Sequence, residues 1–310
     1  MILTVTLNAS VDIQYHLDKL VIDDVNRIQN PYKTAGGKGL NVARVLKELG
    51  EDVSATGFLG GPLGDFISDE IKKVGIKDDF YRVKGHTRNC VAILHEEKQT
   101  EINEGGPEIS KEEIDGFMDK IDTLLDDTKV IAMSGSIPKG VGKDIYANIV
   151  KLAKEKGVLT IVDASGDVLK ASIEAKLTPD FIKPNLSEIT QLLGEEITGD
   201  LDELKDALQK GPLKDVENIV VSLGGDGAFA KLHGKFYKAD IPKIEVVNAV
   251  GSGDSTVAGI IYGLEKDMSD EDLLKSAMTC GMLNTMEKAT GHINPDNFDD
   301  IFNKIKIREY

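Results

Sequence analysis

Cysteine is scarce in this chain: only Cys90 and Cys280 occur among its 310 residues. They form no C-x-x-C pair, which argues against a disulfide framework and suits two buried thiols in a reducing compartment. No apolar run approaches the roughly 18 residues that a membrane-spanning helix needs. The sequence opens on a strand-like Met1-Ile2-Leu3-Thr4-Val5-Thr6-Leu7, without the basic region or cleavage site of an export signal. These absences predict a cytoplasmic protein. Positive charge is also in short supply, with 37 Lys and Arg against 53 Asp and Glu and a net charge of −16. That balance argues against nucleic acid and anionic membranes as partners. The five histidines include no H-E-x-x-H, and His95-Glu96-Glu97 lacks a second His four residues after the first, which argues against zinc. Missing too are a G-x-x-x-x-G-K-[ST] loop, a G-x-G-x-x-G after the first strand, and the protein-kinase motif set.

What is present is ample apolar content, 41% of the chain, enough for one large α/β domain or two ordinary ones. From about residue 128 onward, short apolar runs alternate with amphipathic helical stretches, one of them from Tyr146 to Lys156 and ending at Gly157. Val130-Ile131-Ala132-Met133, Val158-Leu159-Thr160-Ile161-Val162, Phe181-Ile182 and Ile219-Val220-Val221 read as buried strands. Such alternation predicts a parallel sheet covered by helices, with ligands at the carboxyl ends of the strands. Residues 10–27 and 81–102 instead show short strand patterns broken by turns, fit for a small projecting sheet.

The most informative wording is Val250-Gly251-Ser252-Gly253-Asp254-Ser255-Thr256-Val257-Ala258-Gly259, which runs from a β-rich stretch into a helical pattern. Its two glycines allow a sharp turn, and the helix start adds unpaired N–H groups and the positive end of a dipole. Gly251, Ser252 and Gly253 thus form an anion cradle. An acid inside it repels a bound phosphate, so Asp254 suggests a chemical task such as taking a proton from an attacking hydroxyl. The plain alternative is a helix N-cap.

Lys33-Thr34-Ala35-Gly36-Gly37-Lys38-Gly39-Leu40-Asn41 reads as a glycine-rich loop before a helix on which Leu40, Ala43, Leu46 and Leu49 share a face. Gly50 is a natural end for that helix. Hydroxyls can approach a bare glycine backbone, and Asn41 can both donate to and accept from a diol. Five further elements have bland readings of their own. Asp12 in Thr6-Leu7-Asn8-Ala9-Ser10-Val11-Asp12 suits a turn cap, Arg88 a surface position, and Ser136 in Ser134-Gly135-Ser136-Ile137-Pro138 a strand-end turn. Asn185 and Glu188 in Lys183-Pro184-Asn185-Leu186-Ser187-Glu188 are spaced as a capping box, and Ser222-Leu223-Gly224-Gly225-Asp226-Gly227 as a turn between strands.

Taken in order, these elements resemble the PfkB (ribokinase-like) carbohydrate kinases over essentially the whole chain. The resemblance implies one ribokinase-like domain over 1–310: a three-layer α/β/α core with a mainly parallel sheet. It also implies a small β-sheet lid, formed by segments at about 10–34 and 81–104, that makes a homodimer. ATP and Mg²⁺ are the implied cosubstrate and cofactor, with Asp254 as general base and Gly251, Ser252 and Gly253 as anion hole. A sugar phosphate falls to Asp12, Arg27, Gly36, Gly37, Lys38, Asn41, Arg88 and Ser136, with Arg27 able to act across the dimer. The nucleotide falls to Lys183, Asn185, Ser222, Gly224, Gly227 and Asn284, and Mg²⁺ to Asn185 and Glu188 through water. A monovalent cation such as K⁺ belongs near the backbone of residues 248–250. Ala9 stands where the family pattern has proline, a departure that loosens the turn and leaves Asp12 in place.

Val25-Asn26-Arg27, the G-S-G-D-S-T-V-A-G wording and Glu101-Ile102-Asn103-Glu104-Gly105-Gly106-Pro107-Glu108 resemble the branch of the family that acts on ketohexose phosphates. They imply D-tagatose 6-phosphate as substrate, phosphorylated at the C1 hydroxyl to the 1,6-bisphosphate, with fructose 1-phosphate as the alternative. Two other readings are a catalytically silent sugar-phosphate sensor and a nucleotide-cofactor oxidoreductase. The retained Asp254 with both glycines speaks against the first, and the missing dinucleotide fingerprint against the second.

Overall fold

A computed structural model describes residues 1–310. The opening apolar run forms β1 (Ile2–Thr6), followed by β2 (Ser10–Leu17), β3 (Tyr32–Gly36) and α1 (Lys38–Glu48). Next come β4 (Val53–Leu59), α2 (Gly61–Lys73), the short β5 (Lys77–Asp78) and β6 (Tyr81–Arg82), then β7 (Arg88–His95), β8 (Lys98–Asn103) and α3 (Lys111–Leu125). The alternation read from the sequence appears as β9 (Val130–Ser134), α4 (Ile145–Glu155), β10 (Leu159–Asp163), α5 (Gly166–Ile173), β11 (Phe181–Ile182), α6 (Leu186–Leu193) and α7 (Leu201–Ala207). A β-meander of β12 (Asn218–Ser222), β13 (Ala228–Leu232) and β14 (Lys235–Asp240) leads into α8 (Ser252–Glu265) and α9 (Asp270–Thr285). The chain closes with α10 (Phe298–Phe302) and β15 (Lys306–Glu309).

The main sheet has the order β15-β14-β13-β12-β11-β10-β9-β1-β4-β5. Pairing is parallel from β12 through β4 to β5 and antiparallel from β12 to β15. Its central strands are apolar on both faces, as a helix-covered sheet requires. Ile2, Val53 and Val130 pack with Leu46, Ile67, Ile260 and Leu274 on one side. Leu3, Val5 and Ile131 pack with Phe117, Ile149, Leu169 and Leu204 on the other. The result is the expected three-layer α/β/α core with a mainly parallel sheet.

A second sheet, ordered β3-β2-β7-β8, is the projecting lid. Its parallel β2–β7 register sets Ser10 beside Arg88 and Asp12 beside Cys90. Three expectations need correction. Tyr81–Arg82 pairs with β4 in the core, so the second lid segment begins at Arg88. The stretch read as a loop before α1 is largely strand, because β3 hydrogen-bonds to β2 as a lid edge up to Gly36. Finally, residues 241–250 form no strand; Val246, Val247 and Val250 are 60%, 51% and 49% exposed, so their β-branched character has no sheet neighbour to pack on.

Candidate active site

A cleft of about 1310 Å³ opens at the carboxyl ends of β1, β9, β10, β11 and β12, walled by the start of α8 and roofed by the lid. Gly251 has φ 83°, a left-handed geometry that glycine adopts without penalty, and it turns the chain into α8. The N–H groups of Gly253 and Asp254 find no acceptor within the protein and face the cleft as an anion cradle. A Cβ on Gly253 would lie 3.2 Å from the Lys183 ammonium, so the cradle and a cation share one spot.

Asp254 is not the N-cap; that position belongs to Gly251. Its carboxylate is buried, with Oδ2 accepting from Asn41 Nδ2 at 2.8 Å and Oδ1 making no hydrogen bond within the protein. Burial, then the charge of Asp163, pushes its pKa up to about 6 against the opposing pull of Asn41, Lys38 and Lys183. Asp163 ends β10 and is only 2% exposed. It sits between Lys38 Nζ at 3.3 Å and Lys183 Nζ at 3.4 Å. Burial works to raise its pKa, but Lys183 and Lys38 outweigh it and hold the carboxyl below its usual range. Lys38 is affected conversely: burial disfavours its charge, yet Asp163, Asp254 and Glu188 keep its pKa above normal. One acid is thus fixed as an anion between two cations while its neighbour is left ready to gain and lose a proton.

Arg88 lines the cleft at the start of β7. Its guanidinium donates to the Asn8 carbonyl from Nε (3.2 Å) and Nη2 (3.0 Å) and to the Glu104 carbonyl from Nη1 (2.9 Å), so its direction is set by backbone. Asp12 lies opposite on β2, accepting from Ser10 Oγ at 2.6 Å. Burial raises its pKa, and Ser10, Arg44 and Arg88 oppose the rise. Gly37, Lys38, Asn41 and Ser136 also line the cleft, and Ser136 Oγ accepts from Asn8 Nδ2 at 3.4 Å.

Asn185 and Glu188 form the capping box in full: Asn185 Oδ1 accepts from the Glu188 N–H at 3.0 Å and Glu188 Oε2 from the Asn185 N–H at 2.9 Å. Both line the cleft, and Glu188 Oε1 carries no bond. Ser222 lines the same cleft, whereas Gly225 and Asp226 line a neighbouring cavity of about 440 Å³ with Leu186, Thr198 and Lys238. The loop between is held by Lys238, which donates to the Asp226 carbonyl at 2.6 Å.

Several expected site residues lie elsewhere. Arg27 is exposed in the irregular segment 18–31, away from its own cleft wall. Gly36 does not line the cleft; its missing side chain makes room for the Asp12 carboxylate, which a Cβ would overlap. Gly227 serves the β12–β13 turn, where a Cβ would strike the Ala239 carbonyl, and Gly224 is exposed at the same turn. Asn284 is fully buried behind the cradle. It donates to the Val250 carbonyl at 2.9 Å and accepts from the Gly291 N–H at 2.8 Å, which makes it a brace and not a wall. Conversely, the sequence reading missed Asp163 and Arg44, as well as Thr6, Asn8 and Ser134 on the cleft floor. The position of Asp163 was a usable signal, since an acid directly ending an apolar parallel strand falls where ligands bind.

Comparison with known proteins gives a consistent picture. Residues 5–297 match the family described as pfkB family carbohydrate kinase. Tagatose-6-phosphate kinases from two strains of Staphylococcus epidermidis are each 55% identical over 309 residues, covering all of both chains. Among solved structures, phosphofructokinase-2 from Escherichia coli in complex with substrates and products superposes with a TM-score of 0.88 at 25% identity, covering 97% of this chain and 98% of that one. The same enzyme in complex with potassium gives a TM-score of 0.89 at 24% identity and the same coverage, a likeness of fold.

Proposed function

The chain belongs to the pfkB family of carbohydrate kinases, and we propose that it transfers the γ-phosphoryl group of ATP to the C1 hydroxyl of D-tagatose 6-phosphate. The full-length 55% identity to tagatose-6-phosphate kinases carries the choice of sugar. The chemistry is supported by a buried carboxylate with one unbonded oxygen, set at the mouth of two unpaired backbone N–H groups.

In this reading Arg88, already aimed by two carbonyls, grips the 6-phosphate, while Asp12 and Asn41 face ring hydroxyls. The C1 hydroxyl then meets Asp254 Oδ1. With a pKa of about 6, Asp254 is ionised at neutral pH and basic enough to accept the hydroxyl proton as the oxygen attacks in line. The N–H groups of Gly253 and Asp254, with Lys38 and Lys183, face the phosphoryl oxygens and stabilise their charge. On the cleft wall Lys38, Arg88, Lys183 and Lys288 balance Asp12, Glu101, Glu188 and Asp254, so the cleft lacks the acidic excess of a chain whose net charge is −16. Bound Mg²⁺ would neutralise phosphate charge. Glu188 Oε1 is the free oxygen to hold it through water, whereas Asn185 Oδ1 is occupied by the Glu188 N–H and the Ser187 hydroxyl. A monovalent cation beside residues 248–250 would share carbonyls: that of Ala249 accepts from the Ser252 N–H and that of Val250 from Asn284, each keeping a second lone pair.

An ADP-release assay across tagatose 6-phosphate, fructose 6-phosphate and fructose 1-phosphate tests the proposal. We expect kcat/KM to be highest for tagatose 6-phosphate and roughly tenfold or more lower for fructose 6-phosphate, the cost of one misplaced hydroxyl contact. A preference for fructose 1-phosphate would overturn the choice of sugar.

A further inference from the structure

Arg44 lies on α1 three residues after Asn41, largely buried and without a carboxylate partner within ion-pair distance. Burial acts to lower its pKa, opposed by Glu48, Tyr32, Asp12 and Asp254. Four oxygens receive its guanidinium. Nη1 donates to Asn41 Oδ1 at 3.1 Å and to the carbonyls of Thr290 and Gly291 at 3.0 and 3.3 Å. Nη2 donates to the Ala35 carbonyl at 2.6 Å. These partners come from α1, from the lid edge strand β3, and from the loop behind the cradle.

A guanidinium can only donate, so the Asn41 atom facing it must be the amide oxygen. That settles the amide's orientation and turns Nδ2 toward Asp254 Oδ2, 2.8 Å away. A reversed amide would present its oxygen to the carboxylate, lose both hydrogen bonds and leave the acid free to rotate. With Oδ2 occupied, Oδ1 is the oxygen left for an acceptor hydroxyl. The same guanidinium secures the loop on which Gly251 rests: a Cβ on Gly251 would lie 2.6 Å from Thr290 Cγ2 and 3.0 Å from the Gly291 nitrogen.

We infer that Arg44 is a positioning residue: by fixing the Asn41 amide and the Thr290 to Gly291 backbone, it sets the free oxygen of Asp254 against the Gly251 to Gly253 turn. This rests on Asp254 being the base. Geometry held by one shared hydrogen-bonding hub should show strong coupling between hub and spoke.

The test is a double-mutant cycle in the full chain with Arg44→Lys, Asn41→Ala and their combination, alongside Asp254→Asn. Arg44→Lys keeps the charge but loses the fork. It should lower kcat roughly tenfold while each KM changes less than about threefold, because misaligned catalytic groups cost turnover more than binding. The acid limb of the kcat profile should also move to higher pH. Asp163 on β10, Lys38 on α1 and Lys183 after β11 still face Asp254, but the donor that favours its ionised form is lost. On the Asn41→Ala background, Arg44→Lys should add less than about a threefold further loss. Losses that multiply, or an unmoved acid limb in Arg44→Lys, would overturn the inference. If Arg44→Lys melts without a cooperative transition, Arg44→Gln replaces it. If neither folds, Asn41→Ala alone must reproduce the acid-limb shift, and an unmoved limb again overturns the idea. Near-parental turnover by Asp254→Asn would instead defeat the base assignment itself, an outcome distinct from independence of Arg44 and Asn41.

Discussion

Two aspartates that both feel the charges of Lys38 and Lys183 end with opposite proton affinities. Asp163 lies between both cations and stays ionised; Asp254 is buried beside that anion and is raised to about 6. Asp254→Asn should therefore fold, bind ATP and lose roughly 10²–10⁴-fold in kcat, since the amide keeps the shape but accepts no proton. Activity within a few-fold of the parent would remove Asp254 as base. The sign of the stability change is a second check. A carboxyl with a raised pKa favours folding when protonated, and that contribution is lost as pH rises through about 6. The Asn variant should be the more stable protein at pH 7–8, by up to about 3 kcal/mol, with the difference fading toward pH 4. A lower melting temperature for the variant at pH 8 would contradict this. Asp254 was legible in the sequence because two glycines and a helix start constrain what an acid there can do. Arg44 was not, because its effect passes through a second side chain that only the fold brings to Asp254. Gly36, Gly227 and Asn284 show the converse: a family resemblance identifies the residue without saying whether it faces the ligand or the structure behind it.

At the scale of elements, the entry into α8 sets the site. Gly251 and Gly224 both have positive φ, but a Cβ at Gly251 meets Thr290 and Gly291 while one at Gly224 meets nothing within 4 Å. Gly224→Ala should cost only the backbone strain, about 1 kcal/mol. Gly251→Ala adds a clash inside the loop braced by Arg44 and Asn284, and should cost at least about twice as much while also cutting kcat. Equal melting temperatures for the two variants would show that the cradle yields without cost. The strands β1, β9, β10 and β12 and the helix α4 were readable because burial on both sheet faces leaves unbroken apolar runs between amphipathic stretches. The valines before Gly251 misled because their β propensity is real, but a strand also needs an edge to pair with. The β3 strand hid in glycine-rich wording because its partner β2 lies well upstream.

For the whole molecule, the lid is the part that the core does not explain. Ile22, Val25, Tyr32 and Ile102 are exposed on or beside it at 81%, 68%, 49% and 59%, an unusual concentration of large apolar side chains. Such a surface suits the homodimer that the family resemblance implies, with two lids covering each other. Arg27 belongs to the same exposed stretch and has no place in its own cleft. If it serves a sugar phosphate, it must do so in the partner's cleft, and that has a sharp consequence. Arg27→Ala and Asp254→Asn would each be inactive alone, the first lacking the arginine in both clefts and the second lacking the base. Mixed and allowed to exchange subunits, they form heterodimers in which one cleft combines an intact Asp254 with an intact Arg27 from across the two-fold axis. With statistical exchange, activity should recover to about a quarter of the parent level, because half the dimers carry one complete site of two. If Arg27 acted within its own chain, every cleft in the mixture would still contain one defect. Exchange verified by mass with no recovery of turnover would place Arg27 outside the partner's site.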